Sequence, residues 1–579
     1  MSHKRHTGKK LQLVLCWHMH QPDYRDYLSG DFTRPWTYLH AIKDYTDMAY
    51  HLEQHPEVHA VVNFVPILVE QLQDYERQFA SGAIRDRLLR MLARENLDNL
   101  DDADRRYILD SCFKSHHSKM LQPYRAYQHL YDLNSLLEGH GRESLTYLSG
   151  QYLADLLTWY HLVWTGESVR REREVVARLM AKGAQFTYAE RMELFQLIGE
   201  LIAGIVPRYR KLAERGQVEL STTPYNHPIL PLLLDFNAAH DSEPEAPLPQ
   251  GANNYPGGLR RAQAHLARAL DSHRHNFGLP AQGMWPAEGG VSRAALKLLG
   301  EQGVRWAATG QAVLAHSLQR ESNGAALPDK TDYLYRPYLL ADNGAPVYCF
   351  FRDDYLSDRI GFEYAKWKGD DAAADLVHQL EEILRQSHGA HDPVVSVILD
   401  GENAWEYYPY NAYYFLHELY ARLEGHPDIE TTTFGEVVRQ LEDAEHGRVA
   451  HGVLKQMVAG SWVYGTFSTW IGSPDKNRGW ELLCAAKRSY DLVANSDRLS
   501  AEELRLATEQ LADCEGSDWF WWFGDYNSAQ SVASFDVLFR KNLANLYRLL
   551  KLEPPEELQQ VISVGGGDPA AGGTMRRSE

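Results

Sequence analysis

The chain has 579 residues, beyond the size at which one hydrophobic core stops growing, so a large unit and at least one accessory unit are expected. Its composition, 44% hydrophobic and 24% charged, is that of a soluble globular protein, and a net charge of −19 argues against a nucleic-acid groove, which needs clustered Lys and Arg. The longest apolar runs, Leu11 to Trp17 and Pro393 to Leu399, are strand-sized and far short of the roughly 20 residues that span a bilayer, so no membrane segment is expected.

The opening MSHKRHTGKK is basic, but the apolar stretch after it is short and runs into Trp-His-Met-His with no small-residue cleavage site, so secretion is not expected. Five scattered cysteines without a CxxC pair or zinc spacing fit a reducing cytoplasm and argue against a cysteine metal site. From there the chain repeats one pattern, a strand whose last residues turn polar or aromatic. LQLVLCW runs into HMHQP, VHAVVNF into VPIL, QVELS into TTPYNHP, GM into WPAEGG, VRWAA into TG, VYCFF into RDD, and VVSVIL into DGENAW. Helices ending in basic residues and glycine precede several of them, as at Gly216 and before Val304. Strand, polar tip and helix in alternation predict a parallel β/α barrel with function at the carboxyl ends of its strands, with Ile429 to Phe434 as an eighth candidate strand.

Residues 66–215 read as a long helical insertion in a barrel unit spanning 1–440. Strands are expected to stop near Leu441, leaving a helical unit over 441–555 that contributes to the cleft. The Gly-rich end, 556–579, is expected to be a disordered tail.

Three carboxylate tips could do chemistry. Glu288 follows a strand and an aromatic and precedes two glycines; as a bland alternative it favours the dipole of a helix starting near Ser292. Asp400 closes the most apolar strand and leads into Gly401, Glu402, Asn403 and Trp405, or else caps the loop as an Asx turn. Asp353 and Asp354 could simply pair with Arg352. His18 and His20 share one face of a strand end, but no further ligand pattern completes a metal site, so sugar contact is preferred. Trp17, Trp285, Trp405, Trp462 and Trp470 suit sugar platforms, whereas core packing is the stronger reading for the run Trp519 to Phe523.

These residues resemble glycoside hydrolase family 57. The match is carried by WHMHQP (17–22), GQVEL (216–220), MWPAEGG (284–290), LDGENAW (399–405) and GSWVYGTFSTWIG (460–472), five segments in the family's order. The resemblance implies an incomplete, seven-stranded (β/α) barrel with a helical domain on the active-site face, so that the eighth strand is no barrel member. It implies Glu288 as nucleophile and Asp400 as general acid/base of a retaining reaction, with carboxyls about 5–5.5 Å apart. His18, His20, Glu219, Trp285 and Arg352 then become sugar contacts, with Trp462, Trp470 and Asp518 reaching in from the helical domain; Asp353 and Trp405, at the same tips, complete the expected substrate-binding set. No metal or cofactor is required.

Within that family FFRDDYLSDRIGF, LDGENAWEYYP and EGSDWFWWFGD look most like the α-amylase and amylopullulanase group, acting on starch, glycogen and maltooligosaccharides. Transfer by a branching enzyme or 4-α-glucanotransferase is the second expectation. A metal-dependent polysaccharide deacetylase or α-mannosidase, using His18, His20 and an Asp on a similar barrel, is a distant third.

Overall fold

The structure is a computed structural model that describes residues 8–138, 147–341, 344–443, 447–567 and 574–577. Ten strands form one sheet: β1 (Leu11–Met19), β2 (Ala60–Phe64), β3 (Val218–Thr222), β4 (Gly283–Met284), β5 (Trp306–Gly310), β6 (Tyr338–Leu340), β7 (Tyr348–Arg352), β8 (Val394–Asp400), β9 (Ile429–Thr432) and β10 (Gly452–Leu454). Seven of them, β1, β2, β3, β4, β5, β7 and β8, pair in parallel and close a barrel, because β8 bonds β1 on one side and β7 on the other. The ring is thinnest at two seams, where single residue pairs, Thr222 with Met284 and Arg352 with Ser396, join neighbours.

The barrel forms around strands of which the longest, β1 and β8, are largely apolar on both faces. All nine residues of β1 are buried, as a parallel strand with side chains inside the barrel and under the helices requires. β9 pairs only with the start of β1, on the edge that β2 takes further along, and so is no member of the ring, as the resemblance implied. Strands do not stop at Leu441: β10 pairs with β6, which runs antiparallel to β7 at the barrel's flank.

Between β2 and β3 the described chain is helical, from Pro66–Ser81 to the long Tyr188–Glu214, whose start is locked by a capping box between Thr187 and Glu190. Residues 139–146, within the expected helical insertion, lie outside the described part. After β10 come Pro474–Ala494, Ala501–Cys514, Asp518–Trp522 and Ala529–Leu549. The disordered tail expected from residue 556 does not describe 556–567. Leu558 is buried, Asp536 Oδ1 accepts from the Ile562 and Ser563 amides, and Ser563 Oγ donates to Asp475. A single short apolar anchor and a few polar contacts suffice to dock a Gly-rich segment whose composition offers no periodicity. No described helix is long and apolar enough to cross a membrane.

Candidate active site

Strand β4 is two residues long, and the chain beyond it turns at once through Ala287–Gly289. This places Glu288 in the left-handed region, φ 56° and ψ 27°, a conformation that a non-glycine residue holds only when its surroundings impose it. The surroundings here are the helical domain. The Trp462 amide donates to the Glu288 carbonyl at 3.2 Å, Trp462 Nε1 to Oε2 at 3.2 Å and Ser517 Oγ to Oε1 at 3.0 Å. Trp462 can approach because Gly310, at the end of β5, has no side chain; a Cβ there would sit 2.7 Å from Trp462 Cα.

Across the barrel, Asp400 ends β8 in register with His18 of β1. Its Oδ2 accepts from Asn403 Nδ2 at 2.8 Å, and the next amide, Gly401, donates to the His18 carbonyl at 2.7 Å. Glu288, Asp400, His18, His20 and Asp518 line one cleft of about 500 Å³, whose outer walls include Trp521 and Trp522 from the helical domain and Trp36 and Trp164 from the barrel side.

The imidazoles are in fixed states. Asn63, opposite His18 on β2, gives both amide protons to Ser221 Oγ and the Thr222 carbonyl, so its Oδ1 must accept from His18 Nδ1 at 2.7 Å. His18 Nε2 is thereby the face turned to the cleft, and burial together with the nearby His20 pulls its pKa down to about 3, keeping the ring neutral. His20 is the opposite case. Burial disfavours its cation, but Asp518, 2.8 Å from Nε2 and assisted by Glu288 and Asp400, raises its pKa overall. Burial, then the Asp518 charge, push the Glu288 carboxyl up to about 7; Asp400 adds to this, while the Trp462 hydrogen bond and His20 oppose it. Asp400 is raised as well, by burial above all.

The twelve expected site residues divide. The structure brings Glu288, Asp400, His18, His20, Trp462 and Asp518 around the cleft, and Trp285 lines a small cavity behind the two carboxylates. Arg352 also reaches that cavity, but its Nε donates to the Ile398 carbonyl, and Nη1 and Nη2 donate to Asp354 and Asp358. Its guanidinium lies 5.1 Å over the Trp462 ring, so it supports that indole rather than reaching for sugar hydroxyls.

Glu219 is misplaced by the sequence reading. It sits two residues before Ser221, the β3 residue level with Asn63, and therefore one layer below the cleft. There its carboxylate accepts from Trp306 Nε1 and the Gly435 amide, both at 2.7 Å. Asp353 is fully buried as the N-cap of Asp354–Asp358 and accepts from Lys330 and Tyr335, away from the cleft. Trp405 packs on Trp17 and Tyr408 with Nε1 bonded to the Gly401 carbonyl, and Trp470 is wholly buried behind Trp521. Both are core. Of the aromatic run, Trp519, Phe520 and Phe523 are core as expected, whereas Trp521 and Trp522 line the cleft.

Several residues at the site carried no signal of their own. His227 stacks on His20 with ring centres 3.9 Å apart, bonds Ser517 Oγ through Nδ1 and lies 3.9 Å from Glu288. Its position in TTPYNHP, a strand tip already noted, is the clue that was present. Ser517, Asn63 and the buried Glu402 also lie in segments already noted, but were not singled out as site residues. His20, His227 and Asp518 form the one His/Asp/Glu/Cys trio among the described residues whose ligand atoms lie within 4.8 Å of one another. The two rings are inclined by only 20°, however, so their in-plane lone pairs run side by side instead of converging on a tetrahedral centre.

Comparison with known proteins agrees with this architecture. A search of curated proteins returns no match. Among solved structures, the chain is similar to the GH57-type branching enzyme of the archaeon Pyrococcus horikoshii, with 16% identity, TM-score 0.55 and coverage of 96% of this chain and 94% of that one. It is similar to the GH57 branching enzyme of Thermococcus kodakaraensis at 15% identity and TM-score 0.54, covering 94% and 90%. It is similar to an α-amylase of Thermotoga maritima at 14% identity and TM-score 0.53, covering 95% and 96%. At such identities the likeness speaks for the fold. The model of glycosyl hydrolase family 57 matches residues 14–449, three quarters of the sequence and all of the barrel but the first residues of β1, and the chain belongs to that family.

Proposed function

We propose that the protein is a retaining glycoside hydrolase acting on α-glucans by double displacement, of the α-amylase or amylopullulanase kind. The observation that carries the reading is the pair Glu288 and Asp400, set on two separate strand ends, facing one cleft and close enough for the Asp400 charge to raise the Glu288 pKa. Glu288, ionised, attacks the anomeric carbon while Asp400, protonated, delivers its proton to the leaving oxygen; Asp400 then takes a proton from the water that releases the sugar. Trp462 and Ser517 hold the Glu288 oxygens in the attacking position, and His18 and the His20–Asp518 pair orient hydroxyls, which contributes through alignment of the reacting centre.

Transfer to a second glucan, as in branching enzymes and 4-α-glucanotransferases, is the second reading. It is favoured by the aromatic outer cleft, where the half-buried Trp36 and Trp522 offer platforms for an acceptor sugar.

The test uses soluble starch with the wild type, Glu288→Gln and Asp400→Asn. Each variant is expected to lose about a thousandfold in rate while remaining folded, and the first product should keep the α configuration by NMR. New reducing ends mean hydrolysis, and redistributed chains at constant reducing ends mean transfer. Full activity in either variant would remove the carboxylate pair from the mechanism.

A further inference from the structure

Residues 574–577 lie far from the barrel motifs in sequence, yet they border three neighbouring cavities. Thr574 lines the main cleft. Met575 and Arg576 line the cavity behind the carboxylates, together with Glu288, Asp400 and Trp285. Met575, Arg576 and Arg577 line an outer groove of about 880 Å³ that also exposes Tyr407 and Tyr464. The middle cavity measures only about 40 Å³, room for a few water molecules and not for a sugar ring.

The segment is anchored. The Arg576 guanidinium lies 3.4 Å over the Tyr526 ring and 4.9 Å over Trp521, an indole that also stacks against Trp462. Arg577 pairs with Glu363 and covers Phe362 at 5.2 Å, and Met575 packs against the apolar core. One group is left over. Arg576 Nη2 is buried without a hydrogen-bond partner, a costly state for a guanidinium nitrogen unless a ligand completes it.

On the α-glucan reading above, we propose that residues 574–577 are the end wall of the catalytic cleft, where Thr574 faces the terminal sugar unit and Arg576, lining the small cavity behind the carboxylates, receives one hydroxyl that this unit extends into it. The wall separates the cleft from the outer groove, so a glucan enters from the side of Trp36 and Trp164 and stops beyond the carboxylates. The enzyme then acts on chain ends and short oligosaccharides. Without the wall the two grooves join through the active site, and a long chain can lie across it.

The test compares the full chain with a chain shortened after Gly567 and with Arg576→Ala, on maltotetraose and on long amylose. The full chain should release one or two short products from amylose while iodine staining persists. The shortened chain should raise the ratio of kcat/KM on amylose to that on maltotetraose about tenfold, with a ladder of products and early loss of staining. Arg576→Ala should raise KM for maltotetraose about tenfold. An unchanged ratio and product pattern in a folded shortened chain overturns the wall. If the shortened chain does not fold, an unmoved KM in Arg576→Ala overturns it instead. A full chain that acts on neither glucan takes down the α-glucan reading itself, whereas an active full chain with unmoved variants takes down only the wall.

Discussion

At the scale of single residues the site is a set of buried acids whose proton affinities depend on one another. Burial is the largest cause of the raised Glu288 pKa, and the Asp518 charge is the second. Because Glu288 must be ionised to attack, the acid limb of activity should follow this carboxyl, so that the rate rises with pH through about 7. Replacing Asp518 with Asn removes a negative charge that opposes ionisation of Glu288. It also leaves His20 less often protonated, which acts the other way but ranks last among the causes. The acid limb of kcat/KM should therefore move to lower pH in Asp518→Asn, even as the rate falls with the lost His20 contact. A limb that stays in place or moves up would mean that Asp518 does not act on Glu288 through its charge.

At the scale of elements, a short strand followed by a left-handed turn presents Glu288, and the loop carrying Trp462 reaches it from the helical domain. The helical domain must therefore be held against the barrel. Glu515, at the end of Ala501–Cys514, does this from a fully buried position. It accepts from Arg261 and His265 on Gly258–Phe277 at 2.8 and 2.7 Å, and from Tyr255 at 2.5 Å. Burial works against its charge, but Arg261 and His265 win and hold the carboxyl well below the usual range. Glu515→Gln should cost about 3 kcal/mol at neutral pH, since it strands a buried guanidinium. With the folded pKa depressed, this stabilisation is present above the unfolded glutamate pKa of about 4.3 and is lost as pH falls below it. Denaturant melts of wild type and variant should converge in acid. A constant difference down to low pH would show that Glu515 contributes by packing alone.

At the scale of the whole molecule, seven strands close a ring and a single cleft gathers residues from both ends of the chain, His18 and Asp518 among them. The net charge of −19 has a consequence for rates. A neutral glucan is not steered by this field, so kcat/KM on maltooligosaccharides should stay within about twofold between low and high salt, where screening lengths fall from tens of ångströms to a few. A steep salt dependence would point to a charged substrate instead.

The sequence by itself determined eight candidate strands, the seven of the barrel among them, and the tips that carry Glu288, Asp400 and His18, because a buried parallel strand is mostly apolar and turns polar where it leaves the barrel. That signal is local. Depth is not local: Glu219 and Ser221 lie on one strand, and only the pairing of β2 with β3 sets which of them is level with the cleft. Nor is the direction of a side chain. Asp353 and Trp405 stand next to strand ends as the site residues do, but one caps a helix and the other fills the core. Tertiary structure alone decided the contributions of Asn63, His227, Ser517 and Arg576. Each acts on partners tens to hundreds of residues away, through contacts that arise only when the ring has closed and the helical domain has docked on it.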